Sequence, residues 1–245
     1  MATAPVSVAI PSRPSAVAPV WHTVVLLIVM AGTSFLSARR ISHIDPAIPR
    51  SHIPQYLQVI ASQWVLVGFI VLGLRRSGFS LRQLVGGRWE SFDDVLIDIL
   101  VAAGYWIVGI AVVATGKLAM GLLHASSLAD IKRTFGFIAP HGAAEIMLWV
   151  VLCISAGFCE EVIFRGYLQR QFIAWTASGP AGIVICGIIF GAAHLYQGRS
   201  QMVLLALYGT LFGILAYVRK SLRPGIIAHA WQDILTGLIL SILTR

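Results

Sequence analysis

The chain has 245 residues, of which 58% are apolar and 11% charged, and its mean hydropathy is +0.84. Soluble domains carry about 25% charged residues, so this composition excludes a soluble enzyme and equally a disordered chain. The 18 Lys and Arg against 10 Asp and Glu leave a net charge of +8. The bases sit at segment ends, as in Arg39-Arg40, Arg75-Arg76 and Arg219-Lys220, where they meet lipid headgroups and set topology. There is no basic stripe for nucleic acid, and none is expected as a partner.

The apolar blocks are about 20 residues long, the length a helix needs to cross the hydrocarbon. They predict an all-α polytopic membrane helix bundle of about seven transmembrane helices, with six to eight compatible. A barrel would show short alternating runs instead. In chain order, residues 1–19 are rich in Ala, Pro, Ser and Val and read as a mobile tail. A processed targeting segment is the alternative. Residues 20–38 are long for a signal core, however, and Arg39-Arg40 follows without a small-x-small site, so a retained first helix is expected.

The predicted spans are 20–38, 55–74, 94–116, 143–171, 180–198, 201–218 and 225–243. Residues 117–142, between the third and fourth, include scattered apolar positions that fit a short interfacial helix. No repeats and no second domain are visible. Alternating the spans puts ten bases on the N-terminal side and eight on the other, which leans towards a cytoplasmic N-terminus. Cys153, Cys159 and Cys186 all lie in apolar segments without a CxxC and read as small buried residues.

Ionisable groups inside a membrane helix each cost about 2.5–3.5 kcal/mol at its centre on insertion scales, so they are functional suspects. Three clusters stand out. The first is Glu160-Glu161-Val-Ile-Phe-Arg165, within the fourth span. Residues i and i+4 share a helix face, so Glu161 pairs with Arg165. Glu160 points about 100° away and is left available as a general base. Two carboxylates at a wet helix end would be the plain alternative, but apolar residues flank both sides.

The second cluster is Phe190-Gly-Ala-Ala-His194, where one histidine ends an apolar run whose Gly187, Gly191, Ala192 and Ala193 allow close helix approach. Its imidazole either relays a proton or is satisfied by a backbone carbonyl. The third is His229-Ala-Trp-Gln-Asp233. Its i, i+4 spacing lets Asp233 hold His229 in one tautomer, or makes a self-satisfied pair between helices. Three helices each bringing Glu, His or Asp to lipid depth are most economically explained by one shared cavity. With no motif around Ser155 or Ser241 and no HExxH, activated water is the expected nucleophile.

These motifs, EExxxR, FxxxH and HxxxD on successive helices, resemble the CPBP family: the CAAX protease and bacteriocin-processing group, also called Abi, which includes the type II CAAX prenyl endopeptidases. The resemblance covers about residues 143–243, which it makes the catalytic region. Residues 20–142 match only in being hydrophobic helices and loops.

The resemblance implies an intramembrane endopeptidase. In it, Glu160 with His194 activates water, Glu161 with Arg165 braces the site, and His229 with the residue at position 233 stabilises the oxyanion. Where eukaryotic members carry Asn, this chain has Asp233. An ionised carboxylate cannot donate to an oxyanion, so Asp233 must be protonated, orient His229 or bind a metal. No cofactor is favoured. A divalent metal such as zinc at Glu160, His194, His229 and Asp233 is the alternative.

The expected partners are membrane lipids and a membrane-associated peptide or protein substrate, prenylated or a peptide precursor. The small-residue helix faces permit a homodimer. The expected location is a multi-pass position in the plasma membrane of a bacterium. Two rival functions share the same residues. One is a non-proteolytic scaffold or immunity protein. The other is a proton-coupled transporter, against which the absence of inverted repeats counts.

Asp98 reads as a headgroup-level residue, Glu145 as a helix-start acid, and Trp106, Trp149, Trp175 and Trp231 as interfacial anchors. Trp231 has the further option of lining a cavity. His22, His43, His52, His124 and His141 lie near span ends or in loops and are given no role.

Overall fold

The computed structural model describes residues 15–43, 50–121 and 135–243, and among these it contains helices and no strands. Six helices are long and apolar enough to cross a membrane. They are α1 (Val20–Ser42), α2 (Ile53–Arg76), α4 (Phe92–Ala119), α5 (Gly142–Thr176), α7 (Arg199–Arg219) and α8 (Arg223–Leu243). A five-residue turn of helix, α3 (Leu81–Val85), and a shorter apolar helix, α6 (Gly179–Ala193), complete the set. The chain is an integral multi-pass membrane protein. Large apolar side chains such as Val65, Val218 and Ile242 are about 70% exposed, a cost in water but not against lipid. The expected interfacial helix within 117–142 falls mostly on residues 122–134, outside the described residues, as do residues 1–14 of the expected tail.

Two spans differ from their expected form. The fourth is a single 35-residue helix, and its Glu161–Leu168 stretch is wound as a π-helix. The wider turn inserts where the two glutamates sit, a common position for such defects at functional sites. The fifth was expected over 180–198. It is only 15 residues long and gives way at His194 to a 3-10 turn, Leu195–Gln197. At 1.5 Å per residue that helix is about 22 Å long, short of the roughly 30 Å hydrocarbon. So α6 stops inside the bundle and delivers His194 from its end.

This geometry fixes the depth of the three clusters. Chain runs down α5, turns after Thr176 and climbs back along α6. Glu160 lies 16 residues before the turn and His194 lies 15 residues after the start of α6, so they meet at one height. The third cluster reaches that level because α8 starts high. Leu222, just before α8, packs at Gly166, where a Cβ would meet its side chain at 3.1 Å. From that shared level Glu160 is six residues up α5, and His229 is seven residues up α8.

Glycines let these helices close. A Cβ at Gly157 would stand 2.9 Å from the Ala230 backbone nitrogen and 3.0 Å from the Ile226 carbonyl, both fixed parts of α8. Gly187 and Gly191 meet the backbone of α7 in the same way. Gly157→Val is therefore expected to push α8 off α5 and cost roughly 1–3 kcal/mol or more by overpacking. Thermal unfolding in detergent reads this directly. An unchanged midpoint would contradict the packing.

Around this core, several buried polar groups are paired across helices. Val17 and Ala18, at the end of the expected tail, are buried, and their backbone groups are held by the Gln171 side chain. His22 bonds the Tyr167 hydroxyl at 2.7 Å and the Phe69 carbonyl at 2.9 Å. Asp98, expected at headgroup level, is buried and paired within the protein. It is 1% exposed, accepts from Trp89 Nε1 at 2.8 Å and pairs with Arg219 and Arg223 at 3.3 and 3.0 Å. Glu145 accepts from the backbone nitrogens of His141 and His52 and from the His52 ring, joining the start of α5 to α2. Trp149 is buried rather than an interfacial anchor and donates to the Asp233 carbonyl at 3.1 Å. Trp106 stacks on Trp231 at 5.6 Å and donates to Gln232.

Candidate active site

The six residues singled out from the motifs meet in one cluster. Glu161 Oε1 accepts from Arg165 Nη1 at 2.9 Å, and both side chains are essentially inaccessible. Arg165 also donates to the Gly209 carbonyl at 3.1 Å. Its guanidinium lies 4.4 Å from the Phe190 ring centroid and 5.2 Å from that of Phe212. These aromatic faces stabilise a desolvated cation. The pair is therefore set in a dry, fully packed place.

Glu160, one residue earlier, faces another way. Its Oε1 accepts from Gln63 Nε2 of α2 at 3.0 Å, while its Oε2 is buried and has no hydrogen-bond partner. That oxygen looks at two imidazoles, with His229 Nε2 at 3.7 Å and His194 Nε2 at 3.9 Å. Both separations are too long for direct hydrogen bonds. Each is short enough for one water to touch both atoms.

The two histidines are oriented through their other nitrogens. His194 Nδ1 lies 2.8 Å from the Phe190 carbonyl. A carbonyl only accepts, so Nδ1 carries a proton, and Nε2 of the neutral ring presents a lone pair to Glu160. His229 Nδ1 lies 3.1 Å from Glu161 Oε1, the oxygen that also receives Arg165. This differs from the expectation that Asp233 holds His229. Asp233 Oδ2 is 3.6 Å from His229 Nε2, outside hydrogen-bond range, on the same side as Glu160. A carboxylate from another helix wins because the i, i+4 spacing only brings Asp233 near. The π-helical turn and the glycine contacts of α8 bring Glu161 within bonding distance.

A cavity of about 460 Å³ leads to this cluster between α1, α2 and α5, a size suited to a peptide-sized ligand. Glu160, His194, Gln63 and Tyr196 line it, whereas His229 and Asp233 are not among its lining residues. Tyr196 lies beyond the end of α6. Burial pushes its phenol up to about 12, so it is a neutral donor at ordinary pH. Trp231 does not line this cavity either; it stacks on Trp106. Among the described residues, no group of three or more His, Cys, Asp or Glu side chains is disposed to hold a metal ion. The zinc set considered from the motifs is not such a group, and no step below runs through a metal.

Sequence reasoning did not single out Gln63, which lies outside the motif region. Its signal was available: it is the last polar side chain before the apolar run from Trp64 to Leu74, where an amide must find a partner. It is 9% exposed, and its own Oε1 has no partner.

Fold and cluster together define a multi-pass membrane protein with an acid–imidazole centre at depth, open to a peptide-sized cavity. A family model described as type II CAAX prenyl endopeptidase Rce1-like matches residues 142–235, which hold all six motif residues. No match was found among curated proteins or among solved structures. The resemblance read from the motifs is to this family of proteases, which makes the class in general terms a membrane-embedded peptide hydrolase.

Proposed function

We propose that the protein is an intramembrane endopeptidase. In this reading it hydrolyses a peptide bond near the C-terminus of a membrane-associated, CAAX-type substrate, with water activated by Glu160 and His194. The observation that carries the reading is Glu160 Oε2, buried, without a partner, and within 4 Å of two imidazole nitrogens. A water placed there donates one hydrogen to Glu160 Oε2 and the other to the His194 Nε2 lone pair. Its own lone pairs then point away from both, towards a carbonyl in the cavity.

Glu160 takes the proton as the water oxygen bonds to the scissile carbon. The carbonyl oxygen becomes an oxyanion, which His229 in its imidazolium form meets through Nε2–H. Glu161 holds the other His229 nitrogen, and Arg165 neutralises Glu161, so the cation of the site stays where charge develops. Asp233 lies 3.6 Å from the same His229 Nε2. Protonated Glu160 then returns its proton to the leaving amine, the C–N bond breaks, and a new carboxylate and a new amine are left.

The test is an internally quenched, S-farnesylated CAAX-type peptide incubated with purified protein, with and without chelator. Cleavage that survives chelation is expected. Cleavage abolished by chelator and restored by zinc would overturn the metal-free mechanism.

Gln63 enters as a positioning residue. Its N–H holds Glu160 Oε1 so that Oε2 faces the imidazoles. A hydrogen bond to a charged group contributes about 1.5–3 kcal/mol, so Gln63→Leu is expected to lower kcat roughly tenfold to a hundredfold with KM little changed. A variant with wild-type kcat would remove Gln63 from the account.

A further inference from the structure

The oxyanion of the proposed reaction needs donors that reach a carbonyl in the cavity, and His229 is not among the residues that line it. The other donors packed about the centre are mostly committed. Gln63 Nε2 holds Glu160 Oε1 at 3.0 Å, His194 Nδ1 lies 2.8 Å from the Phe190 carbonyl, and Ser34 Oγ donates to the Ala192 and Ala193 carbonyls. Asp233, when ionised, only accepts. Tyr196 is different. It lines the cavity with Glu160 and His194, and its hydroxyl accepts from Gln197 Nε2 at 3.1 Å. A phenol hydroxyl both donates and accepts, and the hydrogen of this one has no acceptor among the described residues.

The break in α6 puts the phenol there. Residues two apart on an α-helix do not face each other, so a continuous α6 would turn Tyr196 from the cavity that His194 lines. The α-helix instead ends at Ala193, and the 3-10 turn Leu195–Gln197 follows. His194 and Tyr196 then line the same cavity, with ring centroids 5.8 Å apart and planes tilted by 34°. The turn is fixed by its backbone. The Gln197 N–H donates to the His194 carbonyl and the Gly198 N–H to that of Leu195, each at 2.9 Å. Gly198 leaves the turn at φ 99°, a conformation that favours glycine. Phe137 packs edge-on to the Tyr196 ring at 6.3 Å. Burial foremost, with the charges of Glu160 and Asp233 adding to it, keeps the phenol protonated.

We propose that Tyr196 is a further catalytic residue, whose O–H donates a hydrogen bond to the scissile carbonyl oxygen and, with His229, stabilises the oxyanion. This rests on the peptidase reading of the Glu160 site and adds a group which that reading does not use. As the water oxygen bonds to the carbonyl carbon, the carbonyl π pair moves onto oxygen and Glu160 holds the water proton. Tyr196 tightens its hydrogen bond to that oxygen without giving up its own proton. When the pair returns and the carbonyl re-forms, the C–N bond breaks, the amine takes the proton from Glu160, and Tyr196 is left unchanged. A donor aimed at developing charge contributes most in the transition state. Its loss therefore falls on kcat rather than on substrate binding.

The test uses full-length Tyr196→Phe, which keeps the ring and removes only the hydroxyl. With the quenched, S-farnesylated CAAX-type peptide, kcat is expected to fall about 10²–10³-fold, the range for loss of one oxyanion donor, with KM little changed. A phosphinate isostere of the same peptide, tetrahedral at the scissile position, separates contact with the reacting atoms from a structural role. Its affinity is expected to fall by the same factor as kcat/KM, while the uncleaved peptide binds Glu160→Gln and Glu160→Gln/Tyr196→Phe equally. Wild-type kcat in Tyr196→Phe, or a kcat loss without loss of phosphinate affinity, would overturn the assignment. So would a lowered unfolding midpoint with weakened binding of the peptide itself, the result of a packing role. Failure of the wild type to cleave a peptide that it binds would overturn the peptidase reading and this inference with it, whereas cleavage by wild type and Tyr196→Phe alike removes Tyr196 alone.

Discussion

Replacing Arg165 with alanine is expected to cost about 3–5 kcal/mol of stability, the largest single effect in the molecule. Breaking a buried ion pair from one side leaves an uncompensated charge in a dry place. Here that charge is Glu161, whose side chain is 0% exposed and whose Oε2 already lacks a partner. The loss spreads further. Arg165 packs against Phe190, Phe212 and Phe164 and binds the Gly209 carbonyl, so alanine also opens a void among three aromatic rings. Arg165→Lys retains a charge but neither the planar fork nor its stacking, and it is expected to recover only part of the loss. The double variant Glu161→Gln/Arg165→Met removes both charges and is expected to be more stable than Arg165→Ala. Unfolding midpoints in detergent or lipid measure all three. Arg165→Ala as stable as wild type would contradict the buried pair.

The second large effect falls on turnover rather than stability. Glu160→Gln keeps the shape and the Gln63 neighbour but removes the base. General-base contributions run about 10²–10⁴-fold, and this residue also supplies the returning proton, so hydrolysis is expected to fall by on the order of a thousandfold or more. The unfolding midpoint should stay within a degree or two of wild type. Glu160 Oε2 has no hydrogen-bond partner to lose, and its 3.7 Å approach to His229 is longer than the 2.9 Å hydrogen-bonded pair of Glu161 and Arg165. His194→Ala belongs with it, since His194 touches the same water, but Glu160 remains as base, so its loss is expected to be smaller. A stability loss in Glu160→Gln as large as in Arg165→Ala would mean that the carboxylate is structural.

The contrast between Glu160 and Glu161 shows what was legible in the sequence. Ionisable residues in apolar segments are conspicuous because lipid penalises them, so the three clusters could be found one helix at a time. The Glu161–Arg165 pair followed from i, i+4 spacing, a rule internal to a single helix. The helical, polytopic fold followed from the length of the apolar blocks. What local rules could not give was contact between helices. Spacing offered Asp233 as the partner of His229. The structure offers Glu161, because the π-helical stretch and the close approach at Gly157 decide which carboxylate arrives. Gln63 lies more than 90 residues from Glu160 in sequence and carries no motif. Only the packing of α2 against α5 brings it to the cavity. The fifth span was read as crossing the membrane because its hydropathy runs on past His194, whereas the chain turns there, with the His194 ring bonded to the Phe190 carbonyl and a 3-10 turn following. The arginine partners of Asp98 lie more than 100 residues away and could not be read from local spacing.

The central claim is that Glu160 converts a membrane-buried polar cluster into a peptidase. Its most direct test compares wild type and Glu160→Gln, reconstituted side by side and given the same quenched, farnesylated CAAX-type peptide at a concentration shown to saturate both. Products are identified by mass. Wild type should release a short C-terminal fragment while Glu160→Gln binds the peptide and leaves it intact. Release of the same fragment by both proteins at comparable rates, or by neither when both bind it, would contradict the account.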